Sequence, residues 1–245
     1  MPKGKKAVKE TIYQRRSVRS YDRQPLSEEF LQQIRDRIQH LTPLYPSISV
    51  QATIVGREQV RTPFSWAPPH MIAIYSEEAE GDLENVGFLF QQADLYLQSI
   101  GLGSCWLGMG RMTGENAMPP EDGLRFVILL AFGIPKDAPP RTCTADFKRR
   151  TLTEISDEPD TRLEPARLAP SSINSQPWYF LHEGDTVHVY RTRPSRLRTL
   201  AELNRIDVGI ALGQLYTAKP EGFQFFLIDS PPALKGGHYT GSLRL

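Results

Sequence analysis

Three guanidiniums and two serine hydroxyls fall within six residues near the start of the chain, in Arg15-Arg16-Ser17-Val18-Arg19-Ser20-Tyr21. Together they supply many N–H and O–H donors with no acidic competitor. That donor set suits a phosphate or a polar sugar chain, because arginine pairs bidentately with phosphate oxygens. The same composition also describes a solvated basic turn. A second candidate is Ala169-Pro170-Ser171-Ser172-Ile173-Asn174-Ser175-Gln176-Pro177-Trp178, which places hydroxyls, two carboxamides and a tryptophan between prolines without any charge. Such side chains both donate and accept, which matches a heteroaromatic ring carrying carbonyls and ring nitrogens, although a polar turn has a similar make-up.

Two further segments contribute. Gly101-Leu102-Gly103-Ser104-Cys105-Trp106-Leu107-Gly108-Met109-Gly110 contains four glycines, which let backbone approach a flat ligand and leave N–H groups free to donate. Gly101 is explained equally by the end of a helix. Cys105 has no base nearby in sequence and reads as a buried structural thiol. Lys148-Arg149-Arg150, followed by Leu152 and Glu154, is by itself a surface charge run.

The elements that would position these residues follow from periodicity and punctuation. Ser27 with Glu28 and Glu29 caps a helix carrying Phe30, Leu31, Ile34 and Ile38. A proline-rich stretch over 42–69 holds one strand at Ser49 to Val55, and Met71 to Tyr75 is another. Val86, Phe90, Ala93, Leu97 and Ile100 form a helical stripe that stops at Gly101. The unbroken apolar run Phe126 to Phe132 predicts a strand buried on both faces. A polar connector covers 133–167. Beyond it, strands are expected at Tyr179 to Leu181, Val187 to Tyr190 and Phe223 to Ile228. Asp207-Val208-Gly209 with Gln214 echoes Asn85-Val86-Gly87 with Gln92, and Phe223 to Ile228 is matched to Phe126 to Phe132, which suggests an internal duplication.

Composition narrows the function. The 245 residues are long for one domain and short for two; 29 Lys+Arg against 28 Asp+Glu leave a charge of +1, which disfavours binding to nucleic acid through phosphate neutralisation. Two cysteines form no disulfide framework, and with no apolar leader a cytoplasmic location is expected. No stretch is long and apolar enough to span a membrane. Dinucleotide and phosphate-loop glycine motifs, zinc-helix motifs and the serine elbow are all missing, and the five histidines are scattered. Metal and Ser-His chemistry are poorly supported, so an organic cofactor is the expected carrier of any reactivity.

Taken together, the four segments resemble the nitroreductase family, in which a homodimer builds two FMN sites at its interface. Arg15 to Arg19 is similar to its R-R-S-x-R opening, Gly101 to Gly110 to its G-L-G-x-x-W-x-G loop, and Ala169 to Trp178 to its A-P-S-x-x-N-x-Q-P-W motif. Gly133-Ile134-Pro135 with Lys148-Arg149-Arg150-x-Leu152-x-Glu154 is similar to its closing segment. The order departs from the family, because the A-P-S segment follows the closing segment and 42–69 stands in its usual place. The resemblance implies an α+β fold with a central, mostly antiparallel sheet flanked by helices. It also implies two tandem halves mimicking the homodimer within one compact unit, 1–245: a first half over 10–156 and a shortened second half over 166–245. Fusion buries the family interface internally and leaves a monomer open.

Carried over residue by residue, the resemblance implies that Arg15, Arg16, Ser17 and Arg19 hold the FMN phosphate and ribityl chain, with Arg149 or Arg150 assisting. Pro170, Ser171, Ser172, Asn174 and Gln176 would reach the flavin from the second half, and backbone around Leu107, Gly108 and Met109 would face its ring. The implied activity is an NAD(P)H oxidoreductase reducing a nitro, quinone or related acceptor in a ping-pong cycle, with no catalytic side chain and no metal. The alternative is a flavin-binding degenerate pseudo-dimer without turnover.

Overall fold

A computed structural model of the chain describes residues 7–66, 68–114, 119–192 and 197–245. In chain order the elements are α1 (Val8–Thr11), α2 (Glu28–Gln39), β1 (Val50–Gly56), β2 (Val60–Arg61), β3 (His70–Glu77), α3 (Asp82–Ser99), β4 (Gly103–Leu107), β5 (Arg111–Met112) and β6 (Leu124–Gly133). Then come α4 (Leu152–Ile155), α5 (Glu164–Arg167), β7 (Trp178–Glu183), β8 (Thr186–Thr192), α6 (Arg198–Ala218), β9 (Gln224–Phe226) and β10 (Gly237–Arg244). The expected cap of α2 is present, with Ser27 Oγ accepting from the Phe30 N–H at 3.3 Å.

The α+β class expected from the sequence holds, and every pair of named strands is antiparallel. The strands divide between two four-stranded sheets, β1-β3-β6-β4 and β7-β8-β10-β9, with β2 and β5 forming a separate two-stranded clip. In both large sheets the chain makes two strands, a long helix, then two strands, and the last strand enters the middle. The strand at 223–228 therefore needs correcting. Only Gln224–Phe226 is extended, as an edge strand in the place that β4 has in the first sheet, and β10 takes the place of β6.

β6 is buried on both faces, as its apolar run predicts. Ile128, Leu130 and Phe132 join the main core with Ile72 and Ile74 of β3. Leu129 and Ala131 face the other way, into a second core closed by Val60 and Met112 of the clip. The main core is continuous, containing Phe180, Val189 and Leu243 of the second sheet as well. All of α3 except Tyr96 and Gln98 is buried, far more than its apolar stripe implies, because α6 packs along it. The two helices touch backbone to backbone. A Cβ on Gly87 would lie 2.1 Å from the Ile206 carbonyl oxygen, and one on Gly209 would lie 2.0 Å from that of Glu84. Each glycine thus meets the residue three before the other, which is how equivalent helices meet across a two-fold axis. Among the described residues no helix is long and apolar enough to cross a membrane.

Candidate functional site: a cleft with a cationic and an apolar lobe

The arginine segment is laid beside the start of β4. Val18 is buried and its N–H donates to the Ser104 carbonyl at 2.9 Å, so alternate residues are directed toward solvent. Arg15 is nearly inaccessible, and its Nε donates to Asp94 Oδ2 at 3.0 Å. Much of its charge is therefore balanced inside the protein, and its second contribution is a weak contact to Ser17 Oγ at 3.4 Å. Arg16 reaches the Pro139 carbonyl at 2.9 Å. Arg19 is exposed and makes no ion pair among the described residues.

The polar connector supplies the other wall. Arg141 donates to the Arg15 carbonyl and lies 4.2 Å over the Phe147 ring. Arg149 Nε donates to the Ala169 carbonyl at 2.9 Å, and its Nη1 to Asn174 Oδ1. These residues, with Lys148, Pro170, Ser171 and Ile173, enclose a cleft of about 780 Å³. Burial, followed by the neighbouring guanidiniums, pushes Arg141 and Arg149 down to about 10. Both stay charged at neutral pH, so the lobe holds like charges that a bound anion would relieve. Of the nearby carboxylates, Asp94 is paired with Arg15, while Asp146 accepts the Thr142 and Cys143 N–H groups at the rim.

The loop from Ala169 to Pro177 crosses between the lobes in a strained conformation. Ile173, Asn174 and Gln176 have φ of +49°, +58° and +47°, unusual for residues with a Cβ and most of all for a β-branched one. It is over-determined by its contacts. The Ser172 N–H donates to both oxygens of Asp207 at 3.0 and 3.1 Å, and the Gln176 N–H donates to Ser171 Oγ at 2.9 Å. Arg150 donates to the Ser175 and Gln176 carbonyls, while the Gln176 side-chain oxygen accepts the Arg150 N–H at 2.8 Å. Burial pushes the Asp207 carboxyl up to about 8.

A second lobe of about 730 Å³ adjoins the first, sharing Ser17, Arg19, Pro170, Ser171 and Ile173 with it. Its wall is largely apolar: Phe64, Trp66, Trp106, Met109, Ile128 and, from α6, Leu200, Leu203, Ile206 and Ile210. Gly108 and Met109 border it as expected. Leu107 does not, because it lies inside β4 with its side chain in the second core. The stretch read as a glycine loop is in large part a strand, and its glycines serve packing. A Cβ on Gly103 would meet the Val18 side chain at 2.8 Å, and one on Gly110 would meet Leu129 at 2.5 Å. Cys105 borders the lobe but is buried, and burial raises its thiol, consistent with a structural role.

Of the residues singled out in the sequence, Arg15, Arg16, Ser17, Arg19, Arg149, Pro170, Ser171, Ser172, Asn174, Gly108 and Met109 come together around this cleft. Arg150 and Gln176 instead hold the strained loop. Residues not anticipated as part of the site are Arg141, Phe64, Trp66, Asp207 and the α6 leucines and isoleucines. Asp207 had left a trace only as one end of the repeat with Asn85, and Arg141 stands alone after two prolines with no pattern around it. The donor chemistry and shape fit FMN. The cationic lobe suits its phosphate, the apolar lobe its ring system, and the shared hydroxyls its polar chain.

A search of curated proteins finds no match. Among solved structures, one described as a "putative nitroreductase" of Thermotoga maritima aligns over 100% of this chain and 96% of its own, with 22% identity and a TM-score of 0.65. An FMN-dependent nitroreductase of Clostridium difficile R20291 covers 58% of this chain and 97% of its own, at 16% identity and a TM-score of 0.46. The FMN and NADPH-dependent nitroreductase NfnB, as a variant from sphigopyxis sp. strain HMH, covers 61% and 97%, at 18% identity and a TM-score of 0.45. The family model described as "Putative TM nitroreductase" matches residues 7–219, and the chain belongs to that family, within the oxidoreductases.

Proposed function

We propose that the chain holds one FMN in the two-lobed cleft and acts as an NAD(P)H-dependent reductase of nitro, quinone or related acceptors. The observation that carries the reading is the continuity of a cationic lobe with an apolar one across a shared rim of hydroxyls and one arginine without an ion pair among the described residues. When bound, the flavin supplies a reversible two-electron carrier between a nicotinamide donor and the acceptor, in alternating half-reactions. Arg16, Arg141, Lys148 and Arg149 neutralise the phosphate, with Arg15 fixed by Asp94 as a buttress. Ser17 and Ser171 meet the polar chain, and Gly108, Met109 and Ser172 border the ring. The walls from α6 exclude water, which strengthens every dipole aimed at the ring. No side chain needs to act as acid or base in this scheme.

One flavin per chain is expected, since the place in the first half that matches Ser171 and Ser172 is filled by Leu44 and Tyr45. The two sheets with their crossed helices are read as the fused halves of an ancestral pair, self-sufficient as a monomer. A cytoplasmic location goes with this reading, in which Cys105 and Cys143 serve as free thiols. The test is the visible absorption of the purified protein, before and after addition of FMN. A yellow protein with one flavin per chain that bleaches with NADH or NADPH under anaerobic conditions supports the reading. A preparation that stays colourless with FMN refutes it, and a flavin that never bleaches leaves only cofactor binding.

A further inference from the structure

The segment between β1 and β3 places two aromatic rings on the wall of the apolar lobe, and neither the arginine cradle nor the strained loop accounts for them. Phe64 and Trp66 are stacked, with centroids 5.5 Å apart and planes 23° apart. Trp66 is anchored: it packs against the second core and lies 6.5 Å from the Tyr21 ring, whose hydroxyl donates to the Val18 carbonyl at 2.6 Å. Phe64 belongs to none of the buried clusters and keeps 37% of its surface exposed. A large ring held by a fixed neighbour, lining a cleft and left partly open, is built to receive another flat ring.

Its support points to the same place. The β2–β5 clip pairs Val60 with Met112 and Arg61 with Arg111, and the Thr113 N–H donates to the Gln59 carbonyl at 3.0 Å. Arg111 in turn donates to the carbonyls of Gly108 and Gly110 at 3.3 and 2.7 Å. The clip is therefore tied to the turn that borders the proposed ring site, so the aromatic pair holds a set position relative to it. Arg19, exposed and without an ion pair among the described residues, lines the same lobe and supplies a donor for an oxygen substituent.

We propose that Phe64, braced by Trp66, is the specificity-determining platform for the oxidising substrate, a planar uncharged ring bearing an electronegative oxygen. The proposal rests on the flavin reading and names the residues that select the acceptor. Stacking needs a flat partner, so the platform discriminates by shape and takes no part in electron or proton transfer.

The experiment uses the full chain loaded with FMN. In Phe64→Ala, KM for 1,4-naphthoquinone and for nitrobenzene is expected to rise about tenfold, several times more than any change with ferricyanide, which has no ring to stack. Calorimetric titration with coumarin, a planar ring with an oxygen substituent, should weaken by a similar factor, and Phe64→Tyr should restore both. Unchanged coumarin affinity and quinone KM in a flavin-retaining Phe64→Ala overturn the proposal. So does an equal loss with ferricyanide, or loss of flavin from the variant, since either places Phe64 in general integrity. If the wild type takes up no FMN, the flavin reading fails by itself. Coumarin titration of that protein then decides the platform separately: binding that depends on Phe64 upholds it, and its absence overturns it.

Discussion

Two short loops occupy matching places beside the crossed helices, and only one of them borders the arginine-lined cleft. In Thr42-Pro43-Leu44-Tyr45 the N–H groups of Leu44 and Tyr45 donate to Asn85 Oδ1 at 2.9 and 3.0 Å. In Ala169-Pro170-Ser171-Ser172 the Ser172 N–H donates to both oxygens of Asp207. Each pinning residue stands two before the glycine at which the helices cross. The side chains on the two pinned loops differ in volume. Leu44 is buried, and the Tyr45 ring packs edge-on to Phe225 at 5.4 Å, against the backbone of Gly81. Ser171 and Ser172 leave room, and the arginine segment stands opposite. The same backbone device thus serves a filled place on one side and an open one on the other, and side-chain size with a local charge supply separates the two.

The largest effect should come from closing the space between the helices. Gly209→Ala sets a methyl against a backbone carbonyl and should lower stability by about 3 kcal/mol, and Gly87→Ala should do the same by the reciprocal contact. Thermal unfolding of both variants checks this, and a large inequality between them would break the equivalence of the two helices. Next, Arg149→Ala frees Asn174 and takes away the phosphate contact proposed for it; FMN affinity should fall by about 2 kcal/mol, or roughly thirtyfold. Tyr45→Ala, tested in parallel by flavin titration, should leave the stoichiometry at one per chain, because the Arg15 to Arg19 segment lines the cleft at the Ser171 loop.

Asp207 and Asn85 differ in a way that pH exposes. A carboxyl raised in the folded state to about 8 binds its proton more tightly there than in the unfolded chain, so the fold is favoured at low pH. This contribution is lost as pH rises from about 4 to 8, with a slope of up to about 1.4 kcal/mol per pH unit. Asp207→Asn should flatten that slope and Asn85→Asp should add one, measured by denaturant unfolding across the range. His182, held between Asp157 and Asp160 and raised by them against the effect of burial, loses its contribution in the same direction above about 6.5. It is common to all three proteins and drops out of the comparison. The smallest effect is expected at Arg19. Being exposed, Arg19→Ala should weaken FMN by less than about 1 kcal/mol, and the difference should vanish in high salt.

Much of the site was legible because its chemistry is local in sequence. Arg15 to Arg19 and Ala169 to Trp178 are dense in donors within one loop each, which makes them candidates; composition describes plain turns equally well, and the resemblance to family motifs is what set them apart. Which of two adjacent cations serves the cleft was not legible: Arg149 faces Asn174 and the lobe, while Arg150 turns to the carbonyls of Ser175 and Gln176. Arg141 and Phe64 contribute only through a distant wall, and nothing near them in sequence signals it. The same holds for strands. β6 announces itself by an unbroken apolar run. β10, with Gly237, His238, Thr240 and Gly241, has none, and Ser242 and Leu243 are buried only because β8 and β9 pair on either side.

The sequence by itself determined α2, α3 and strands β1, β3, β6, β7 and β8, together with the donor-rich loops and the echo that pairs Gly87 with Gly209, since backbone preference, hydrogen-bonding capacity and size are properties of the residue. Only the tertiary structure decided which loop is open and which is filled, which arginine is neutralised by Asp94, and that two aromatic rings stand across from a turn roughly forty residues away. Those outcomes depend on what packs against each group, because burial, charge balance and cavity volume belong to contacts between segments.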